Sequence, residues 1–303
     1  MFHVEQTLKG QSLVCPTCGH KDYVTHLVLK DYFLSNEEFS IIKCTQCGLL
    51  STFPQPLPSE IGKYYKSSHY ISHATENKGL ESTIYNFIRK KTLASKTKLI
   101  RKYSAGNRLL DIGCATGVFL DYCYRHGFTV EGIEPDEKSR NYARKQFNLK
   151  VNDVEYLSRL PERSFDVITM WHVLEHVNDI QERMRLVSRL LTDDGIAFIA
   201  LPNPLSYDAQ FYKEYWAAYD VPRHLYHFTR ASFTAFINEQ QMKIIKIVPM
   251  VFDAYYISLL SERYINGRGS YFKALYRGFI SNMYARRNSM NYSSMIYILR
   301  KAN

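Results

Sequence analysis

The run Arg108-Leu-Leu-Asp-Ile-Gly-Cys-Ala-Thr-Gly117 constrains the fold of this chain more than any other, because an apolar strand passes directly into a glycine turn and then a helix. Leu109, Leu110 and Ile112 supply the buried strand. Asp111 stands at its carboxyl end, where a buried charge is costly unless a partner compensates it. Gly113 and Gly117 let the backbone turn sharply and approach a ligand closely. Val118-Phe-Leu-Asp-Tyr-Cys-Tyr124 then offers the apolar positions of a helix packed on a sheet. A second acid, Glu134, follows the apolar run Phe128–Ile133. This spacing suits a nucleoside held across the carboxyl edge of a parallel sheet, with the acid on its ribose hydroxyls.

Four motifs fall in a recognisable order: Leu110-Asp-Ile-Gly-Cys-Ala-Thr-Gly117, Gly132-Ile-Glu-Pro-Asp136, Ser164-Phe-Asp-Val-Ile-Thr-Met-Trp-His-Val-Leu-Glu-His-Val177, and Leu191-Thr-Asp-Asp-Gly-Ile-Ala-Phe-Ile-Ala-Leu-Pro-Asn203. Over residues 106–250 the chain thereby resembles the class I S-adenosylmethionine-dependent methyltransferases. The resemblance implies an α/β, Rossmann-like seven-stranded sheet and S-adenosylmethionine as cofactor. It places Asp111, Gly113, Cys114, Ala115 and Gly117 in the cofactor turn, with Glu134 and Pro135 beside the ribose. Asp153 becomes a contact for the adenine amine, read equally as a solvated turn residue. Met170, Trp171 and His172 would meet the cofactor through backbone or shape, with Glu175 and His176 on the substrate side. Ala115 departs from the third glycine of many relatives, a change that is tolerable if its φ stays negative. A nicotinamide dinucleotide fits less well: the glycines stand four apart rather than in Gly-x-Gly-x-x-Gly, and Asp111 would repel a pyrophosphate.

Four of the six cysteines form Cys15-Pro-Thr-Cys18 and Cys44-Thr-Gln-Cys47, each followed by glycine. Two such turns complete a tetrahedral thiolate site, so Cys15, Cys18, Cys44 and Cys47 read as a structural Zn2+ ribbon. Metal binding energy is then folding energy for a module too small to fold alone. Related methyltransferases acting on sugars carry a similar amino-terminal zinc module over the substrate. The following Lys63-Tyr-Tyr-Lys-Ser-Ser-His-Tyr70 reads as a lid, with Tyr64 and Tyr65 facing the active-site mouth. The expected organisation is a ribbon over 1–52, a helical connection and lid over 53–105, and a methyltransferase domain over 106–303 with an insertion at about 250–290. Met242–Val248 and Ser293–Leu299 would be the last two strands, the final one antiparallel by family analogy.

The net charge of +10 is unevenly placed. Residues 82–110 and 263–303 each carry eight Lys or Arg and no acid, which leaves the remainder of the chain at −6. Such basic, aromatic segments fit a solvated helix face, an acidic substrate, a membrane surface or nucleic acid. No run reaches the roughly 18–20 apolar residues of a membrane span, and Met-Phe-His-Val-Glu-Gln at the start is no signal peptide. The expected location is cytoplasmic, with peripheral membrane contact as an option.

His172-Val-Leu-Glu-His176 also matches a zinc peptidase pattern, but that chemistry needs the motif inside a helix, and here it follows a core strand. Trp216-Ala-Ala-Tyr-Asp-Val-Pro-Arg-His-Leu-Tyr-His-Phe-Thr229 matches a substrate-facing loop of the family and gathers Arg223, His224, Tyr226 and His227. His176 and His224 are the leading base candidates, with Glu175, Tyr226 and His227 behind them, each histidine equally able to serve as a structural donor. The expected activity is methyl transfer to a small or lipid-linked acceptor bearing a sugar or phosphate. The alternatives are an RNA methyltransferase and a non-catalytic cofactor-binding interaction module.

Overall fold

The computed structural model describes residues 13–65, 80–288 and 290–302, with side chains in the first turns of the 80–103 helix excluded. The lid residues 66–70 lie outside what is described. The main sheet is built from β4 (Arg108–Ile112), β5 (Thr129–Ile133), β6 (Val151–Asn152), β7 (Phe165–Trp171), β8 (Leu191–Pro202), β10 (Met242–Pro249) and β11 (Ser294–Lys301). Their order is β10-β11-β8-β7-β4-β5-β6. The five strands β6, β5, β4, β7 and β8 run parallel, and β11 lies antiparallel to both β8 and β10. Parallel strands covered on both faces read as near-continuous apolar runs. Phe165-Asp-Val-Ile-Thr-Met170 and Ile196-Ala-Phe-Ile-Ala-Leu201 do so, and most of these residues are buried.

Helices α1 (Leu80–Tyr103), α2 (Val118–Arg125), α3 (Glu137–Phe147) and α4 (Ile180–Leu190) accompany the parallel strands. α2 buries Phe119, Leu120 and Cys123, while α4 buries Ile180, Met184, Val187 and Leu190 at helical spacing. The polar caps agree: Asp136 accepts from the Ser139 amide before α3, and Asp179 from the Glu182 amide before α4. The short α5 (Tyr207–Tyr212) and α6 (Arg230–Asn238) flank the loop that carries Arg223. The basic stretch between β10 and β11 forms two helices, α7 (Asp253–Asn266) and α8 (Tyr271–Arg287). They approach so closely that a Cβ on Gly278 would stand 2.6 Å from the Tyr255 ring.

The amino-terminal part forms a second, antiparallel sheet from β1 (Tyr23–Lys30), β2 (Glu38–Cys44) and β3 (Leu50–Phe53). Its fourth strand, β9 (Tyr226–His227), comes from the far end of the chain and pairs Leu50 with His227 and Ser51 with Tyr226. This amino-terminal sheet is therefore completed by the loop that the sequence reading sets at the active-site mouth. Buried Cys15, Cys44 and Leu49 belong to the same core cluster as β4, β7 and β8.

Candidate active site

The carboxyl ends of β4, β5 and β7 bring the cofactor-binding candidates to one edge. Asp111 is 1 % exposed and accepts a hydrogen bond from the Thr169 hydroxyl of β7 at 2.5 Å. Burial pushes its carboxyl up to about 7, against the opposing pull of Thr169 and Lys96 and with the charge of Glu134 adding to the rise. Lys96, from α1, lays its ammonium 4.0 Å from the centre of the Trp171 ring. Burial draws that lysine down to about 8, partly offset by Asp253 and Asp111. Sequence reasoning missed Lys96 among eight basic residues. The signal was its register, because Leu93, Lys96, Thr97 and Ile100 share one helical stripe, and Thr97 and Ile100 are buried.

Glu134 closes the turn from β5. Its Oε2 accepts the Ala115 amide at 2.8 Å and its Oε1 the Asp136 amide at 2.9 Å. Burial raises its pKa against those two amides. Each oxygen keeps lone-pair capacity for a ribose hydroxyl. Gly113 adopts φ +77°, and a Cβ there would stand 2.4 Å from Val173 Cγ2, so the turn passes where only glycine fits. Ala115 corrects the expectation of negative φ: it sits at +49°, in the left-handed region, while its amide donates to Glu134. Cys114 is buried, and its Sγ would meet a Cβ on the neighbouring Gly132. Met170 is fully buried in β7, whereas Pro135 is exposed. Asp153 is exposed and accepts the Tyr156 amide at the start of a short turn beyond β6.

Beyond β7 the backbone enters a 3-10 turn at Leu174–His176, so the His-x-x-Glu-His motif does not lie within an α-helix as a peptidase site requires. His172 is also left-handed, at φ +57°. Its ring lies between Asp253 Oδ2 at 3.0 Å and Glu175 Oε1 at 3.3 Å. Burial disfavours its charge, but Asp253 and Glu175 outweigh that and lift it to about 9. Glu175 is 1 % exposed. Burial would raise its carboxyl, yet His172 and the neighbouring histidines hold it below the usual carboxylate range. The Nδ1 of His176 lies 3.0 Å from both the Arg223 carbonyl and the Tyr65 hydroxyl. The rings of His176 and His224 meet edge to face at 4.5 Å.

Of the lid tyrosines, Tyr65 reaches His176, whereas Tyr64 is buried in the ribbon and donates to Glu37 at 2.5 Å. The 216–229 loop brings His224 to the cluster but sends its neighbours elsewhere. Arg223, 1 % exposed, bridges Asp31 of the ribbon at 2.8 Å and Asp220 at 2.7 Å. Tyr226 donates to the Asn178 carbonyl, and His227 pairs with Thr52, so both side chains fasten β9 in place. The four ribbon cysteines converge: Sγ of Cys15 and Cys47 lie 3.5 Å apart, and those of Cys18 and Cys44 3.6 Å. Those distances exceed a disulfide bond and approach the roughly 3.8 Å edge of a tetrahedron of thiolates about 2.3 Å from zinc.

A family profile described as a methyltransferase domain matches residues 85–247, more than half of the chain. Two curated relatives are ubiquinone biosynthesis O-methyltransferases. That of Neisseria meningitidis serogroup A is 35 % identical over 34 % of this chain and 48 % of its own length. That of Pelagibacter ubique is 38 % identical over 32 % of this chain and 42 % of its own length. The chain thus spans about half the length of the curated relatives it matches or less. The crystal structure of magnesium protoporphyrin IX methyltransferase from Synechocystis PCC 6803 with bound SAH superposes with a TM-score of 0.52. That match covers 80 % of this chain and 98 % of that one, and at 13 % identity it speaks for the fold alone. Profile, sheet order and the acid-and-glycine edge agree: the chain belongs to the class I S-adenosylmethionine-dependent methyltransferases.

Proposed function

We propose that this enzyme methylates a hydroxyl of a small, lipid-linked acceptor bearing a sugar or phosphate, working at the surface of an anionic membrane. S-adenosylmethionine supplies, when bound, a methyl group activated on a sulfonium. The residues that would hold it are present: Asp111 for its cationic end, Lys96 for its carboxylate, Glu134 for its ribose, and Asp153 for its adenine amine. Asp111 answers a positive ligand by ionising, since burial keeps it near its titration point at neutral pH.

The observation that carries the acceptor reading is the meeting of Glu175, His176 and His224 at the end of β7, beside the cofactor edge and under Tyr65. These three are the polar groups we assign to the acceptor's reacting atom. Orienting that atom contributes on the order of 7–11 kcal/mol in favourable cases, whereas a general base adds typically about 10²–10⁴-fold. Positioning by the cluster therefore dominates, with any base contribution secondary. Support for a hydroxyl acceptor comes from the relatives, both named O-methyltransferases.

Support for a membrane surface comes from the acid-free basic segment 263–303 and the exposed aromatics of α8. No helix among the described residues is long and apolar enough to cross a membrane. We also propose that Cys15, Cys18, Cys44 and Cys47 hold structural Zn2+, that residues 1–52 form the ribbon, and that 53–105 form the connection and lid. The test is radiolabelled methyl transfer from S-adenosylmethionine to hydroxylated acceptors offered free and in vesicles. Turnover favouring the vesicle-borne acceptors supports the reading. Turnover on free acceptors alone, or on RNA, overturns it.

A further inference from the structure

We propose that Glu175, His176 and His224 form a binding site for a divalent first-row transition metal ion, separate from the four-cysteine site. One ligand atom from each of the three lies within 4.8 Å of the others, the spread expected of groups around a single ion. Their hydrogen bonding leaves one lone pair on each imidazole for a ligand role. The Nδ1 of His224 lies 2.9 Å from the Ala218 carbonyl. A carbonyl only accepts, so this Nδ1 carries the proton and the ring's lone pair remains on Nε2. The same argument applies to His176, whose Nδ1 faces the Arg223 carbonyl at 3.0 Å, with the Tyr65 hydroxyl at 3.0 Å accepting beside it. A backbone carbonyl that fixes the tautomer in this way is the usual outer support of a metal-bound imidazole.

Glu175 supplies the third ligand. Both of its carboxylate oxygens are buried; the His172 ring stands 3.3 Å from Oε1 as its ionic partner, and Oε2 has no hydrogen-bond partner among the described residues. Buried carboxylates are almost always hydrogen-bonded or metal-bound. With His172 set against Oε1, Oε2 and one nitrogen of each imidazole are the groups that can meet a common ion.

The segments that bear these groups are tied together. The Leu225 amide donates to the Glu175 carbonyl at 2.7 Å, tying the turn after β7 to the segment that bears His224. Thr52 donates to the His224 carbonyl at 2.6 Å, and Arg223 is clamped between Asp31 and Asp220. Two imidazoles and one carboxylate suit Zn2+, Fe2+, Mn2+ or Co2+ rather than Mg2+ or Ca2+, which prefer all-oxygen shells. Three protein ligands leave coordination positions open, unlike the closed set of four thiolates. On the reading of methyl transfer to a hydroxyl, the open position takes the acceptor oxygen and lowers its pKa, as a metal ion does for bound water. The metal site itself does not depend on that reading.

The decisive experiment is metal counting by mass spectrometry on the full chain, stripped and then reloaded with Co2+ or Zn2+. Wild type is expected to take up two equivalents. The first Co2+ should show sulfur-to-metal charge transfer, and the second only weak d–d bands of a nitrogen and oxygen shell. Glu175→Gln and His224→Ala should each retain the thiolate spectrum and lose the second equivalent. Retained uptake of S-adenosylhomocysteine serves as their folding control. Should either variant fail to fold, the wild-type count and spectrum still decide. Saturation of wild type at one equivalent, or a second equivalent that survives both substitutions, overturns the proposal. Two equivalents without methyl transfer to any hydroxyl would leave the metal site standing and remove the proposed activity.

Discussion

At the scale of single residues, the cofactor edge is set by groups whose environment works against their ordinary state. Asp111 keeps its proton up to about 7 because it is buried, and Lys96 keeps its own only up to about 8 for the same reason. A zwitterionic amino-acid moiety binds best when both are charged. Affinity for S-adenosylhomocysteine should therefore rise as pH climbs toward about 7 and fall again above about 8, with Glu134 and Asp253 contributing to the local field. Calorimetry across that range in two buffers of different ionisation enthalpy should show proton release on the acid side; a flat profile would refute the assignment. The linkage to stability has the opposite sign to that of a salt-bridged acid. Between about 4 and about 7 the native chain retains a proton on Asp111 that the unfolded chain has lost, so this group's contribution diminishes as pH rises through that window. Lys96→Met should weaken S-adenosylhomocysteine binding by about 10- to 100-fold, the worth of one charge-assisted hydrogen bond at about 1.5–3 kcal/mol. Ala115 tests the backbone separately. Its left-handed conformation carries about 1–2 kcal/mol of strain, against about 0.5–1 kcal/mol of added chain entropy for glycine. Ala115→Gly should accordingly raise stability by up to about 1 kcal/mol in urea unfolding.

At the scale of elements, the parallel strands were legible because each is an apolar run with its own turn chemistry, and Asp111 and Glu134 were legible because each follows such a run. What stayed hidden depends on pairings across long stretches of chain. Nothing near Tyr226 announces that it will pair with Ser51 as the fourth strand of the ribbon sheet. Nor does the composition of the 216–229 loop distinguish His224, which reaches Glu175, from Arg223, which reaches back to Asp31. That buried ion pair ties the amino-terminal sheet to the 216–229 loop. Asp31 also accepts the amides of Phe33, Leu34 and Ser35, so it organises a ribbon turn while holding the arginine. Removing one member of a buried pair costs about 3–5 kcal/mol because the other is left uncompensated. Asp31→Asn should lower the unfolding free energy by that order, and the double variant with Arg223→Gln should cost clearly less than the two losses added together. Additive losses would show that the pair does not couple the two parts.

At the scale of the whole molecule, the polar site and the apolar surface are carried by different parts of the chain. Along α8, Tyr271, Phe272, Leu275, Tyr276 and Phe279 are exposed, Phe272 to 89 %, and Lys273 and Arg277 lie among them. An aqueous helix gains nothing by holding such a face open, whereas a lipid interface rewards both components. Burying one such side chain contributes about 1.5–3 kcal/mol, and each basic residue near an anionic surface adds about 1 kcal/mol. The absence of acids from 263–303 keeps that attraction free of internal opposition. The preceding helix α7, packed against α8, begins at Asp253, which holds His172, so an acceptor presented from a bilayer on this face would arrive beside the site. Vesicle sedimentation should show binding that requires anionic lipid and weakens with salt. Phe272→Asp and Leu275→Asp should each reduce partitioning by about 10-fold or more on the burial energies above, while leaving S-adenosylhomocysteine affinity in solution unchanged. Equal binding to neutral vesicles, or indifference to both substitutions, would show that this face serves another purpose.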